Sequence, residues 1–269
     1  MSRYAATLSP LLGIMTAAVR KAAFGVLRDF REVSQLQVSK KGPADFVTSA
    51  DKRADEVLRE ELSRARPDYG FLTEEGETVV GADSEHCWII DPIDGTLNFL
   101  HSLPSFAISM ALTYRGDVVC GVTYDPVLDE IFYAEKGKGA YLNDKRVRVS
   151  ARASMEEALI AAASSGFARP ERERFFREAN AISNKVAGLR SSGCASLNLA
   201  YVAAGRFDGY WERHLQVWDI AAGIVLLREA GGIVSEPDGG DRMLESGAIL
   251  AANLELHRAL AKVLRESRA

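Results

Sequence analysis

The stretch from Cys87 to His101, CWIIDPIDGTLNFLH, constrains this chain more than any other. Trp88-Ile89-Ile90 reads as a buried strand that ends in two aspartates three residues apart. Pro92 fixes one backbone angle and donates no hydrogen bond, so a rigid turn is expected where the ladder would otherwise continue. Asp91 and Asp94 are then held close together, and a divalent cation is the simplest relief for their repulsion. Gly95 and Thr96 follow at once. If Gly95 opens a helix, its free amides and the Thr96 hydroxyl face the carboxylates, an arrangement that fits a phosphate whose other oxygens are neutralised by cations. The competing reading makes Asp91 a cap and Asp94 a surface turn residue, since aspartate favours turns for its own reasons.

A chain of 269 residues can bury a large core, as one big domain or two that share an interface. Its 33 basic and 37 acidic residues give a formal net charge of −4, which offers no general electrostatic case for autonomous nucleic-acid or membrane binding. Cys87, Cys120 and Cys194 are widely spaced among apolar or small residues and read as buried thiols of a reducing compartment. With no signal-like N-terminus and no run of 18 apolar residues, the cytoplasm is the expected location.

Apolar residues recur every three or four positions from about residue 8 to 31, which predicts an amphipathic helix. A lysine-bearing turn, Lys40 to Thr48, leads to a second helix that Ser49 or Asp51 would cap. Phe71-Leu72 then presents Glu74, Glu75 and Glu77. Runs at 106–114 and 118–124, flanking Arg115-Gly116-Asp117, predict a hairpin, and further short strands follow to about Val147. This first part reads as a largely antiparallel sheet covered by the first two helices. A composition change near Val149-Ser150 places a boundary between residues 1–149, which carry most of the acidic centre, and 150–269, where strands and helices alternate. In the second part Trp218-Asp219 precedes the apolar run from Ile220, which predicts Asp219 as an N-cap, a ligand at a positive helix end, or both.

Four scattered histidines make no zinc triad, so the acidic residues favour a hard cation, magnesium or manganese. By itself, Glu74-Glu75 reads best as a solvated turn. Dinucleotide and nucleotide glycine loops and a G-x-S-x-G elbow are absent.

WIIDPIDGTLNFLH resembles the first signature of the inositol monophosphatase family, and WDIAAGIVLLREAGG its second. PADFVTSAD at 43–51, Glu74-Glu75 and GCASLN at 193–198 match the family in its order over nearly the whole chain, most closely its bacterial SuhB type. The resemblance implies an α+β fold, a layered α-β-α-β-α sandwich of the inositol monophosphatase/fructose bisphosphatase type, and usually a homodimer. It implies two or three Mg2+ ions, with Mn2+ an alternative, held by Glu74, Asp91, the carbonyl of Ile93, Asp94 and Asp219. Glu75 would act near the metal waters, Gly95 and Thr96 would touch phosphate, and Thr96 with Asp51 would orient or deprotonate the attacking water. Glu212 and the backbone near Cys194-Ala195 would recognise hydroxyls, and Lys40 resembles a mobile-loop lysine near the third ion. Direct hydrolysis of a small phosphate ester and inhibition by lithium are also implied.

Two departures stand out. Ser102 replaces the glycine of the usual N-F-x-H-G, and Arg213-His214-Leu215 is bulkier and more basic than the common pattern. The preferred substrate class is inositol 1-phosphate and related alcohol phosphates. Alternatives are 3′(2′),5′-bisphosphate nucleotidase, fructose 1,6-bisphosphatase or histidinol phosphatase activity. A non-catalytic role binding the transcription machinery is a further alternative, of a different class.

Overall fold

The computed structural model describes residues 8–33, 38–42, 45–163 and 169–267, with side chains throughout except at 38–42, 45–47 and 169. Helix α1 (Pro10–Arg31) starts where the Ser9 hydroxyl accepts the Leu12 amide and Pro10 occupies the first turn. By length and composition α1 would suffice to cross a membrane, yet its stripe of Met15, Val19, Ala22 and Val26 is packed into the core. Strands β1 (Val38–Gly42) and β2 (Asp45–Thr48) form an antiparallel ribbon that runs into α2 (Ser49–Ala65). Thr48, and neither Ser49 nor Asp51, caps α2. Its hydroxyl accepts the Ala50 and Asp51 amides while the Asp51 carboxylate accepts the Thr48 amide.

A seven-stranded sheet follows in chain order: β3 (Tyr69–Thr73), β4 (Asp83–Asp94), β5 (Ala107–Tyr114), β6 (Asp117–Asp125), β7 (Glu130–Glu135), β8 (Gly139–Leu142) and β9 (Lys145–Val147). Only β3 and β4 pair in parallel, so the expectation of a largely antiparallel sheet is met. Helix α3 (Thr96–Leu100) is a single turn between β4 and β5.

The second sheet contains β10 (Leu159–Ala162), β11 (Gly188–Arg190), β12 (Gly209–Glu212), β13 (Ile233–Ser235) and β14 (Ile249–Ala252), in the spatial order 11-10-12-14-13. Strands β10, β11 and β12 are parallel, and β14 runs against both its neighbours. Its helices are α4 (Arg169–Ser183), α5 (Ala195–Ala203), α6 (Val217–Glu229), the short α7 (Met243–Ser246) and α8 (Leu254–Glu266).

Strand alternation sorts these elements into five layers. On β4, Trp88 and Ile90 face α1 and α2, where they meet Met15, Val19, Leu58 and Leu62. Ile89 on the opposite face joins Leu199 of α5 and Ile224 of α6, which also pack on Ala161, Tyr210 and Ala251 of the second sheet. The far side of that sheet, through Ile160, Trp211 and Leu250, is covered by Ile182 of α4 and Leu256 and Leu260 of α8. The layers are therefore α1/α2, the first sheet, α5/α6, the second sheet and α4/α8.

Helix α6 is seated unusually close. A Cβ on Gly121 of β6 would lie 2.8 Å from the Ala222 carbonyl oxygen, and one on Gly223 would lie 2.4 Å from Leu199 Cδ1. Two missing side chains thus let α6 fit between β6 and α5, which fixes where its first turn emerges.

Candidate active site

Strand β4 delivers both aspartates through an irregularity. Asp91 pairs with Ser109 and Asp94 with Ala107, so the register slips across Pro92 and Ile93. Strand pairing thus resumes at Asp94, one bulge beyond the point where the proline turn was expected to end it. The Asp91 Oδ1 accepts the Ile93 amide at 3.0 Å, which fixes the side chain over its own turn. Gly95 then adopts φ 93° and α3 begins, as its position before Thr96 suggests. A Cβ there would also come within 2.9 Å of the Ser105 carbonyl oxygen, so both conformation and space require glycine.

Asp219 arrives from the other half of the chain. It is not the N-cap. Gln216 holds that position and Asp219 is three residues further in, its Oδ2 accepting the Gln216 amide at 2.8 Å. This leaves a carboxylate at the positive end of α6, and one ligand oxygen from each of Asp91, Asp94 and Asp219 lies within 4.8 Å of the others.

Asp91 is 1% exposed and Asp94 9%, which removes the surface-turn reading. Burial pushes the Asp91 carboxyl well above the usual range, and Glu74, Asp94 and Asp219 push it further. Burial and then Asp94 do the same to Asp219, with Glu74 adding to the effect. Asp94 is also raised by burial, but hydrogen bonds from Ser196, Cys194 and Ala195 oppose the rise. Glu74, which the sequence alone left as a solvated turn, thus faces the cage and hydrogen-bonds with Asp91. Its amide donates to the Ile90 carbonyl at 3.1 Å, which holds it beside the strand that ends in Asp91. Glu75 follows in the same turn.

On the other side of Gly95, the Thr96 hydroxyl lies 3.0 Å from the Ile93 carbonyl oxygen and 3.4 Å from Asp51 Oδ1. Asp51 is fully buried, and its second oxygen accepts the Thr48 hydroxyl and amide. One oxygen of Asp51 is therefore committed to the helix cap while the other faces Thr96.

Three residues that hold the site were not singled out from the sequence for these contacts. Cys194, whose thiol reads from its surroundings as a packing group and whose backbone alone the resemblance gives a role, donates that thiol to Asp94 Oδ2 at 3.1 Å, and the Ser196 amide reaches the same oxygen at 2.6 Å. Ala195 opens α5 between them. On β12, Glu212 points to the central layer, where the Tyr210 hydroxyl donates to its Oε2 at 2.5 Å. Arg213 alternates away and donates to Glu178 of α4 at 3.1 Å and to Asp238 at 2.8 Å, so its charge is turned from Glu212. The side chain of Lys40 lies outside the described residues.

The sequence profile described as the inositol monophosphatase family matches residues 7–269. The inositol-1-monophosphatase of Rhizobium meliloti (strain 1021) is 50% identical over 96% of this chain and 97% of its own. The Nus factor SuhB of Escherichia coli (strain K12) is 38% identical over 96% of each. Among solved structures, the extragenic suppressor protein suhB of Bartonella henselae superposes with a TM-score of 0.94 at 46% identity, covering 96% of this chain and 99% of that one. The acidic cage, the glycine turn beside it and these likenesses agree: the chain is a phosphatase of the inositol monophosphatase family.

Proposed function

We propose that this phosphatase is magnesium-dependent and hydrolyses inositol 1-phosphate and related small alcohol phosphates by direct attack of water. The observation that carries the reading is the convergence of Asp91, Asp94 and Asp219 within 4.8 Å beside Gly95 and Thr96. The donors suit a hard divalent cation, because all are oxygens and because Glu74, Asp94 and Asp219 raise the affinity of Asp91 for protons by repulsion, as Asp94 and Glu74 do that of Asp219. Glu74, Asp91, Asp94, Asp219 and the Ile93 carbonyl would hold two or three such ions, magnesium first and manganese as an alternative. Bound there, the ions supply positive charge that acidifies water and neutralises phosphoryl oxygens.

The protein's own groups supply position and proton handling. When the Thr96 hydroxyl turns its proton to Asp51, its lone pairs face outward to orient a water. Asp51, anchored by Thr48, is then the ultimate proton acceptor on that side. Glu75 lies in the turn that follows Glu74 and serves the same water, while amides at Gly95-Thr96 meet phosphate oxygens. Glu212, already accepting from Tyr210, keeps acceptor capacity for substrate hydroxyls, with the Cys194-Ala195 backbone beside Asp94.

A panel of inositol 1-phosphate, fructose 1,6-bisphosphate, histidinol phosphate and adenosine 3′,5′-bisphosphate, assayed for phosphate release with magnesium, tests this. Release from inositol 1-phosphate, blocked by lithium, is expected. Release only from the nucleotide would replace the substrate assignment. A second role in transcription is favoured by the likeness to relatives named Nus factor SuhB. That role would survive Asp94→Asn, whereas catalysis would not.

A further inference from the structure

Between Thr73 and Glu77 the chain makes the turn that carries Glu74 and Glu75, and one guanidinium spans it. Arg59 of α2 donates from Nη2 to the Thr73 hydroxyl at 2.6 Å and to the Glu77 carbonyl at 2.8 Å. Its Nε donates to Asp55 at 2.8 Å, and its head lies 5.3 Å over the Phe71 ring. The Thr73 hydroxyl in turn accepts the Gly76 amide at 3.1 Å. A Cβ at Gly76 would lie 2.2 Å from Arg59 Nη2, so the absence of a side chain there is what lets the guanidinium settle on the turn. Gly76 is not among the residues with positive φ, so space rather than conformation is the reason for glycine.

We propose that Arg59 is a positioning residue for the acidic turn. It clamps both ends of the Thr73–Glu77 loop to α2 and so fixes how Glu74 and Glu75 are presented to the cage. The proposal rests on the reading of Glu74 as a cation ligand. From the sheet side, the Glu74 backbone is held by Ile90 and its side chain hydrogen-bonds with Asp91. From the helix side the restraint is Arg59. The same helix carries Asp51 in its first turn, so α2 sets two water-handling groups, Asp51 and the Glu74-Glu75 pair, relative to each other. A planar fork is needed for this, because a single ammonium cannot reach Asp55, Thr73 and Glu77 together.

Asp55 is buried and its other oxygen has no partner, so deleting Arg59 outright would strand a charge and unfold the helix locally. Arg59→Lys avoids that: it keeps a cation for Asp55 and removes the fork. Gly76→Ala displaces the guanidinium without removing any charge. Arg53→Lys is the control. Arg53 lies on the same helix and grips Asp29 of α1 through Nε at 3.2 Å and Nη2 at 2.6 Å, away from the turn.

The measurement is calorimetric titration of Mn2+ and of Mg2+ into each folded variant without substrate, alongside the magnesium dependence of phosphate release. Arg59→Lys and Gly76→Ala are expected to weaken cation binding about tenfold, as loss of a support behind a ligand does. The KM for substrate at saturating magnesium and the circular dichroism spectrum should stay unchanged, and Arg53→Lys should bind like the wild type. Wild-type cation binding in both Arg59→Lys and Gly76→Ala would overturn the proposal, as would an equal loss in Arg53→Lys. A wild-type protein that binds neither ion would instead overturn the assignment of Glu74 on which it rests.

Discussion

The amide of Ser196 donates to Oδ2 of Asp94 at 2.6 Å, across 102 positions of sequence. The Cys194 thiol meets the same oxygen, so the first turn of α5 carries a carboxylate delivered by the first sheet. One oxygen of Asp94 is thereby fixed by the protein, and the other is left for the cage with Asp91 and Asp219. A helix start stabilises a carboxylate electrostatically, which is why Asp94 is raised against opposition where Asp91 is raised further by every charged neighbour named with it.

Asp94→Asn should therefore separate function from folding. The amide oxygen still accepts from Ser196, and the new NH2 group donates into the cage where a negative charge stood. Activity with magnesium should fall by about a thousandfold or more, the scale of losing a group that stabilises transition-state charge. The melting temperature of the cation-free protein should hold or rise, because a buried like charge has been removed. Parallel phosphate-release assays and thermal melts check this, and retained activity would contradict the assignment of Asp94.

The acidic cage also fixes a pH dependence. Asp91, Asp94 and Asp219 take up protons more readily folded than unfolded, since all three carboxyls are raised above the ordinary aspartate value near 3.8. Their contribution to stability is complete below that value and is lost as pH rises through the folded pKa values. His257 works in the opposite direction: burial lowers its pKa from 6.5, so its contribution is lost on acidification. The difference in melting temperature with magnesium and with chelator, taken at each pH, cancels His257 and isolates the cage. That difference should grow from pH 5 to pH 8 and shrink in Asp219→Asn.

Ser102 makes a third, structural test. It sits just beyond α3 at φ 57°, where the Leu103 amide bonds to the Asn98 carbonyl at 2.8 Å and the Ser102 amide to Phe99 at 3.1 Å. This is a helix stop that favours glycine. The loop thus keeps a glycine-like shape without the glycine. Left-handed backbone costs a residue with a Cβ about 1–2 kcal/mol, and glycine's extra unfolded freedom costs about 0.5–1 kcal/mol. Ser102→Gly should thus stabilise by about 0.5–1 kcal/mol in urea melts, with activity unchanged.

The parts of the site legible in the sequence were those marked by their immediate neighbours along the chain. Asp91, Asp94, Gly95 and Thr96 occupy one strand end and turn, and Asp219 sits at the start of an apolar helix, so strand and helix patterning places each. Patterning also gave the antiparallel sheet under two helices and the alternating second part, while the layered arrangement came from the resemblance. What stayed hidden depends on pairings that only the folded chain makes. Thr48 was passed over as the cap because Ser49 and Asp51 satisfy the same local preference, and only the closed capping box decides among them. Cys194 looked like an ordinary buried thiol because nothing near it in sequence announces Asp94. Arg59 and Gly76 carry no motif, and their relation exists only once α2 lies against the β3 turn.

Tyr210 belongs to the same class: it reads as a core aromatic, and it is fully buried, yet its hydroxyl is 2.5 Å from Glu212 Oε2. Burial, Glu212, Asp94 and Asp219 all raise its pKa, so it stays a donor at every pH the enzyme meets. The bond fixes the orientation of the Glu212 carboxylate, the group proposed to read a substrate hydroxyl. Tyr210→Phe frees the carboxylate to turn. A hydrogen bond to a charged group contributes about 1.5–3 kcal/mol, part of which is recovered by water, so the KM for inositol 1-phosphate should rise about fivefold to tenfold. An aryl phosphate has no hydroxyls for Glu212 to read, and its kcat/KM should stay within a factor of about two. An equal loss on both substrates would show that the pair supports the acidic cage instead of selecting the alcohol.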